Sequence, residues 1–139
     1  NPFLFYLKIE SLKNFQKTKE FIKLINSYKR PINILYSEEK KSSDIYSSEP
    51  LIELFEKKDE QVLYEKLIIV EKKVINLIKR KEYKKALIFL STLDQEIENF
   101  FENVVINVAD KNIKINRLNL CNEVRKIMHS VACFRHFNV

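Results

Sequence analysis

Between Phe100 and Leu120 the chain reads FFENVVINVADKNIKINRLNL. Phe100, Phe101, Val104 and Val105 fit one apolar helical face, and a short apolar joint at Val108-Ala109 follows. Asp110 then offers an N-cap, because its carboxylate can accept the free amide hydrogens of the next turn. From there to about Phe134 neither Pro nor Gly interrupts a helix. The stretch therefore joins the end of one helix to the start of another.

Downstream, side chains can be placed at about 100° per residue. Ile113, Leu120, Cys121, Val124, Met128 and Val131 share one side, which is core. Arg117 projects onto that side and Lys114 sits at its edge. A core-facing Arg near a helix start calls for a carboxylate, for which Glu98, Glu102 and Asp110 are candidates, or for direct contact with a ligand. Asn116, Asn119, Asn122 and Lys126 project outward, free to meet a partner. Cys121 and Cys133 lie about 18 Å apart along the helix, too far for a disulfide, and read as small buried hydrophobes suited to a reducing compartment. His129 and His136 have no clustered ligand beside them and do not read as a metal site.

Upstream, Leu63, Leu67, Val70, Val74 and Leu77 recur at spacings of four and three, an apolar seam facing other helices. The pattern relaxes at Lys79-Arg80-Lys81 and resumes as Tyr83, Ala86 or Leu87, Leu90, Leu93, Ile97, Phe100 and Val104. This predicts an antiparallel pair over about Glu60 to Val105. Its corner gathers Lys79, Arg80, Lys81, Lys84 and Lys85 against Glu82. Such a cluster can grip phosphates, or it can be cations collecting at a helix C-terminus to offset the dipole. Before it, Pro50 suits the first turn of a short helix through Phe55. The Ser37–Ser48 segment is polar and Ser-rich and reads as an exposed loop. A helix opening near Thr18 should kink or break near Arg30, ahead of Pro31, and Phe3–Phe15 forms a further helix. The expected division is N-terminal helices over 1–36, the loop over 37–48 and a helical bundle over 49–139.

The bulk composition agrees with this helical reading. The chain has 139 residues, enough for one domain with a real core. An apolar fraction of 45% opposes disorder. Glycine is absent and there are three prolines, which disfavours hairpins and points to an all-α bundle of about five to six helices. A net charge of +6 and a pI near 9.2 suggest an anionic partner, nucleic acid before membrane; a Lys-rich solvated surface is the plainer reading. No apolar run is long enough to span a bilayer. NPFLFYLKIE carries neither a basic n-region nor a cleavage site, so it does not read as a signal peptide. The chain does not start with Met, as an excerpt of a longer protein would not.

These features bring a resemblance into view. KRPINIL at Lys29–Leu35, LFEKKDEQVLYE at Leu54–Glu65, YKKALIFLSTL at Tyr83–Leu93, IENFFENVVINVADKNIKINRLNL at Ile97–Leu120 and SVACF at Ser130–Phe134 occur in order. Together they resemble the C-terminal region of bacterial glycyl-tRNA synthetase beta subunits, an all-helical anticodon-binding domain of the DALR type. Several positions depart from that family's pattern. Asp94, Gln95 and Glu96 stand where an Arg-Pro pair is usual, Glu102 where Asp is usual, Lys114 where Arg is usual, and Cys133 replaces an acidic residue. Lysine at 114 keeps the charge but loses the planar fork needed for bidentate contact.

The resemblance implies a tRNA-reading module of a cytoplasmic glycine–tRNA ligase, partnered by tRNA(Gly) and by an alpha subunit in a heterotetramer. ATP and magnesium would serve the holoenzyme, with no cofactor in this fragment. The fragment itself offers no Gly-rich phosphate loop and no nucleophile–base set, so no catalytic residue is expected in it. Glycine codons begin GG, so the anticodon carries two cytosines. Reading a splayed cytosine requires acceptors for its amino group and donors for its ring nitrogen and carbonyl. Lys114, Asn116 and Arg117 are candidate donors, Glu102 and Asp110 candidate acceptors, and Lys79, Lys81, Lys84 and Lys85 candidate phosphate grips. Phe100 and Phe101 suit core better than base stacking. An arginyl-tRNA synthetase domain of the same type, or a helical protein-interaction module, are the other readings.

Overall fold

The computed structural model describes residues 19–131, and every regular element among them is helical. In chain order these are α1 (Lys19–Ser42), a single 3-10 turn (Ile52–Leu54), α2 (Lys58–Lys79), α3 (Tyr83–Ser91), α4 (Asp94–Asn103) and α5 (Lys111–Val131). The expected Phe3–Phe15 helix, Cys133 and His136 fall outside the described residues.

Two expectations at the N-terminal end are corrected. Helix α1 is not broken at Pro31, and it continues to Ser42 where a loop was expected from Ser37. Packing overrides the missing amide: Leu24, Tyr28, Ile32 and Leu35 form a buried seam on both sides of Pro31. Beyond Ser37, Glu38-Glu39-Lys40-Lys41 are good helix formers, and tertiary partners hold the first two. Glu38 pairs with Lys114 at 3.1 Å, and Glu39 with Arg125 at 2.9 Å. The helix ends where Ser43 turns left-handed (φ 61°) and its amide bonds the Glu39 carbonyl at 2.9 Å.

Helix α2 buries Leu63, Leu67, Val70, Val74 and Leu77, the seam expected from their spacing. The return arm differs from the single helix expected. It breaks between Ser91 and Asp94, where the Thr92 and Leu93 amides bond carbonyls three residues back. Ser91 Oγ and Thr92 Oγ1 donate to the Ile88 and Phe89 carbonyls, both at 2.6 Å, and help close the turn. An ion pair between Lys66 and Glu96 at 3.9 Å ties α4 back to α2.

The α2–α3 corner is a Schellman motif. Lys81 takes the left-handed position (φ 60°) that glycine usually fills, its amide bonds Ile78 O, and the Glu82 amide bonds Leu77 O, both at 2.9 Å. Helix α5 packs against α1, α2, α3 and the 3-10 turn. It is therefore buried on every side from Asn116 to Val124, not along one stripe.

A candidate nucleic-acid interface

The joint before α5 is built on Glu60. Its carboxylate sits in the α2 seam, three residues before Leu63, and is fully buried. Oε2 accepts the Glu56 and Lys57 amides at 2.9 and 2.8 Å, so it caps the N-terminus of α2. Oε1 accepts Arg117 Nε at 3.0 Å. Arg117 in turn donates through Nη1 to the Val105 carbonyl at 2.6 Å, and through Nη2 to Glu56 at 3.4 Å. The expectation that Arg117 faces the core and meets a carboxylate holds; its partners are Glu60 and Glu56, not Glu98, Glu102 or Asp110. A carboxylate inside an otherwise apolar seam was the sequence signal for Glu60.

The outward placement of the asparagines is overturned. Asn116, Asn119 and Asn122 are all buried. Asn116 fastens the 48–54 segment to α5: its Oδ1 accepts Leu51 N at 2.7 Å and its Nδ2 donates to Leu51 O at 3.0 Å. Asn122 accepts Arg125 Nε at 2.9 Å. Arg125 also makes a two-pronged contact to Glu39, at 2.9 and 3.0 Å, with its guanidinium 5.7 Å from the Tyr36 ring centre. This contact holds the Glu39 carboxyl below the usual carboxylate range, against the opposing pull of burial. Lys126 is exposed, as expected, and pairs with Glu123.

Asp110 caps α5 as expected, Oδ1 accepting the Asn112 and Ile113 amides at 2.9 and 3.2 Å. Lys114 is engaged by Glu38 and by Asn107 Oδ1 at 3.2 Å. Glu102 is exposed on the last turn of α4. Phe100 and Phe101 are buried edge to face against each other, in keeping with core packing.

Two hollows flank Ile115. One, of about 480 Å³, lies between the 48–54 segment and α5 and is lined by Ser48, Glu49, Leu51, Asn112 and Asn119. The other, of about 380 Å³, is lined by Lys41, Asp44, Lys111 and Lys114. Neither was legible in the sequence, since both depend on the 48–54 segment or the end of α1 folding over α5.

The basic corner stands at the far end of α2. Glu60 and Lys79 are separated by about 28 Å along that helix. Lys79, Arg80, Lys81, Lys84 and Lys85 are all exposed. Lys85 pairs with Glu82 at 3.1 Å. The others have no ion-pair partner among the described residues, and Lys72 and Lys73 extend the basic surface along α2. The structure therefore brings Lys114, Asn116, Arg117, Asp110 and Glu102 to one end of the bundle and the lysine corner to the other. No group of three or more His, Cys, Asp or Glu suited to a metal occurs among the described residues. No helix among them is long and apolar enough to cross a membrane.

Together the described residues form an all-helical bundle, closed by a buried Arg-carboxylate joint and carrying an exposed lysine-rich corner at its far end. The chain belongs to the DALR anticodon binding domain family, whose pattern it matches over residues 24–133. It is 34% identical over 127 residues to the glycine–tRNA ligase beta subunit of Rickettsia typhi and 37% identical over 130 residues to that of Rickettsia bellii. The corresponding subunit of a Sulfurihydrogenibium species is 33% identical over 129 residues. The matches cover 91 to 93% of this chain but 18% of each relative. The chain thus spans under a fifth of the length of the curated relatives it matches.

Proposed function

We propose that this domain reads the anticodon of tRNA(Gly) as the C-terminal part of a cytoplasmic glycine–tRNA ligase beta subunit. The observation that carries the reading is the run of similarity to those subunits along nine-tenths of the chain. The exposed lysine corner supports it physically, since RNA affinity rests first on phosphate contacts that release counterions. The joint residues turn inward to hold α2, α5 and the 48–54 segment in register. The phosphate grips are Lys79, Lys81, Lys84 and Lys85, and Glu102 and Asp110 remain on the surface at the reading end. The alpha subunit completes a heterotetramer and houses activation of glycine with ATP and magnesium. The domain binds and positions, and supplies no reacting group. The glycine-type relatives favour this over an arginine-specific domain or a pure protein-docking bundle.

The experiment is aminoacylation by the full-length beta subunit with its alpha partner. Charging should fall when either anticodon cytosine is replaced by uracil, and binding should weaken steeply with salt. Charging indifferent to the anticodon would refute the reading.

A further inference from the structure

We propose that the groove between the 48–54 segment and the first turns of α5 seats an extended peptide segment carrying a lysine or arginine, supplied by the same polypeptide outside these 139 residues. The domain is then clamped by its own longer chain, whichever RNA the lysine corner meets. The matched stretch is 18% of each relative, so in such a polypeptide the rest is covalently attached to this domain. A tethered segment competes at a high effective concentration against any free one.

The groove wall already holds one contact of this kind. Leu51 is extended (φ −97°, ψ 119°), so its N–H and C=O point the same way. The Asn116 carboxamide takes both, accepting the amide at 2.7 Å and donating to the carbonyl at 3.0 Å. Asn119 carries the same group one turn further on and also lines the groove. It is 6% exposed, and its Oδ1 has no hydrogen-bond partner among the described residues. Native structures rarely leave such an oxygen unmatched. The Asn χ2 torsion is broad and two-fold, so the carboxamide can turn to the groove. A group that is donor and acceptor at once matches the paired N–H and C=O of one extended residue. Three helical residues advance about 4.5 Å, close to the roughly 4.8 Å between neighbouring extended chains. A second segment therefore fits beside Leu51 without displacing it.

The walls select the side chains. Leu51 and Ile115, 50% and 41% exposed, offer aliphatic surface to an apolar residue. The groove's volume of about 480 Å³ falls within the roughly 300–1,000 Å³ of small-ligand pockets. Glu49, also in the lining, is exposed and has no ion-pair partner among the described residues. Glu71 and Glu123 lie near it: burial pushes the Glu123 carboxyl up, Lys126 pulls it down, and the charges of Glu71 and Glu49 add to the rise. Three carboxylates thus meet one ammonium where α2, α5 and the 48–54 segment join, in a chain whose net charge is +6. That imbalance calls for a cation and repels a phosphate backbone. Residues two apart in an extended segment share a face, so one can meet the aliphatic wall while the next but one meets Glu49.

The test uses the full-length protein containing this domain, with the photo-cross-linker p-benzoylphenylalanine in place of Asn112. That residue is exposed and lines this groove but not its neighbour. Irradiation without RNA should give one major cross-linked peptide from the same polypeptide, outside these residues, with Lys or Arg close to the attachment point. A mixture of isotopically light and heavy protein separates contact within one polypeptide from contact between copies. Glu49→Lys should lower the cross-link yield by roughly tenfold, because like charges then meet. Glu49 is exposed, so this variant should melt as the wild type does. Asn119→Ala should also lower the yield, by removing the carboxamide that holds the segment's backbone. A cross-link to another chain, one that forms only when tRNA is added, a yield indifferent to Glu49→Lys, or no cross-linked peptide at all would overturn the proposal.

Discussion

Arg117 and Glu60, separated by most of the bundle in sequence, meet with Nε and Oε1 3.0 Å apart in a site where neither side chain exceeds 3% exposure. Two backbone amides from the start of α2 converge on the same carboxylate. The pair is thus a knot joining α2, α5 and the 104–110 joint. Removing one partner leaves a buried charge without its counterpart, at a cost of about 3–5 kcal/mol. Arg117→Ala should therefore lower the melting temperature sharply and weaken RNA binding only as folding is lost. Arg117→Lys should recover only part, because a point charge cannot reach Glu60, Glu56 and the Val105 carbonyl together. A variant that melts normally but loses anticodon preference would reverse the assignment of Arg117 as scaffold.

Asn116 is the second fastening. Its amide closes a two-bond ring on the Leu51 backbone. Asn116→Ala would leave the Leu51 donor and acceptor part-buried and unmatched, each worth about 1–3 kcal/mol when fully desolvated. Thermal unfolding should show a clear loss, and hydrogen exchange at the Leu51 amide should accelerate. An unchanged melting curve would mean that the 48–54 segment is held by other contacts.

The contrast between these residues and the α2 seam shows where the sequence was readable. Leu63, Leu67, Val70, Val74 and Leu77 alternate with solvated positions, so periodicity alone located the buried face. Helix α5 is surrounded from Asn116 to Val124, and projection by angle assumed a polar face there that does not exist. Its asparagines were misread for that reason: buried polar groups bonded to distant backbone leave no periodic trace. Pro31 misled in the opposite sense, because a local rule about one missing amide was outweighed by a continuous packed seam. The cap at Asp110 was legible because its partners lie within a single turn. The two hollows around Ile115 were not, because each depends on contacts between segments far apart in the chain.

Two carboxylates should give stability opposite pH slopes. The Glu39 carboxyl lies below its ordinary 4.5, chiefly through its hydrogen bonds from Arg125. Its contribution is present above that ordinary value and lost as pH falls through the lower folded value. Glu123 is raised, chiefly by burial. The folded state then holds its proton more tightly than the unfolded, so its contribution is present at low pH and lost as pH rises from 4.5 through the raised value. Arg125→Gln should flatten the acid limb of a stability–pH profile. Glu123→Gln should raise stability near neutral pH. A Glu123→Gln protein no more stable at pH 7 than at pH 4, relative to wild type, would contradict the burial account.

Lys81 lets backbone strain and charge be separated at one position. A non-glycine residue at left-handed φ costs about 1–2 kcal/mol, partly offset by the greater unfolded-state freedom of glycine. Lys81→Gly should therefore stabilise the domain by somewhat under about 1 kcal/mol, read as a higher melting temperature. The same change removes a cation from the corner formed with Lys79, Arg80 and Lys84. If that corner grips phosphates, affinity should fall equally for every tRNA, and the slope of log affinity against log salt should flatten by up to about one unit. Lys84→Ala should reproduce the binding loss without the gain in stability, since Lys84 lies in the first turn of α3 with ordinary helical geometry. A stabilised Lys81→Gly protein with unchanged binding and salt slope, matched by an unaffected Lys84→Ala, would assign the cluster to solvation and to offsetting the dipole of α2. Loss of binding in both, at unequal stability, is the outcome that a phosphate grip requires.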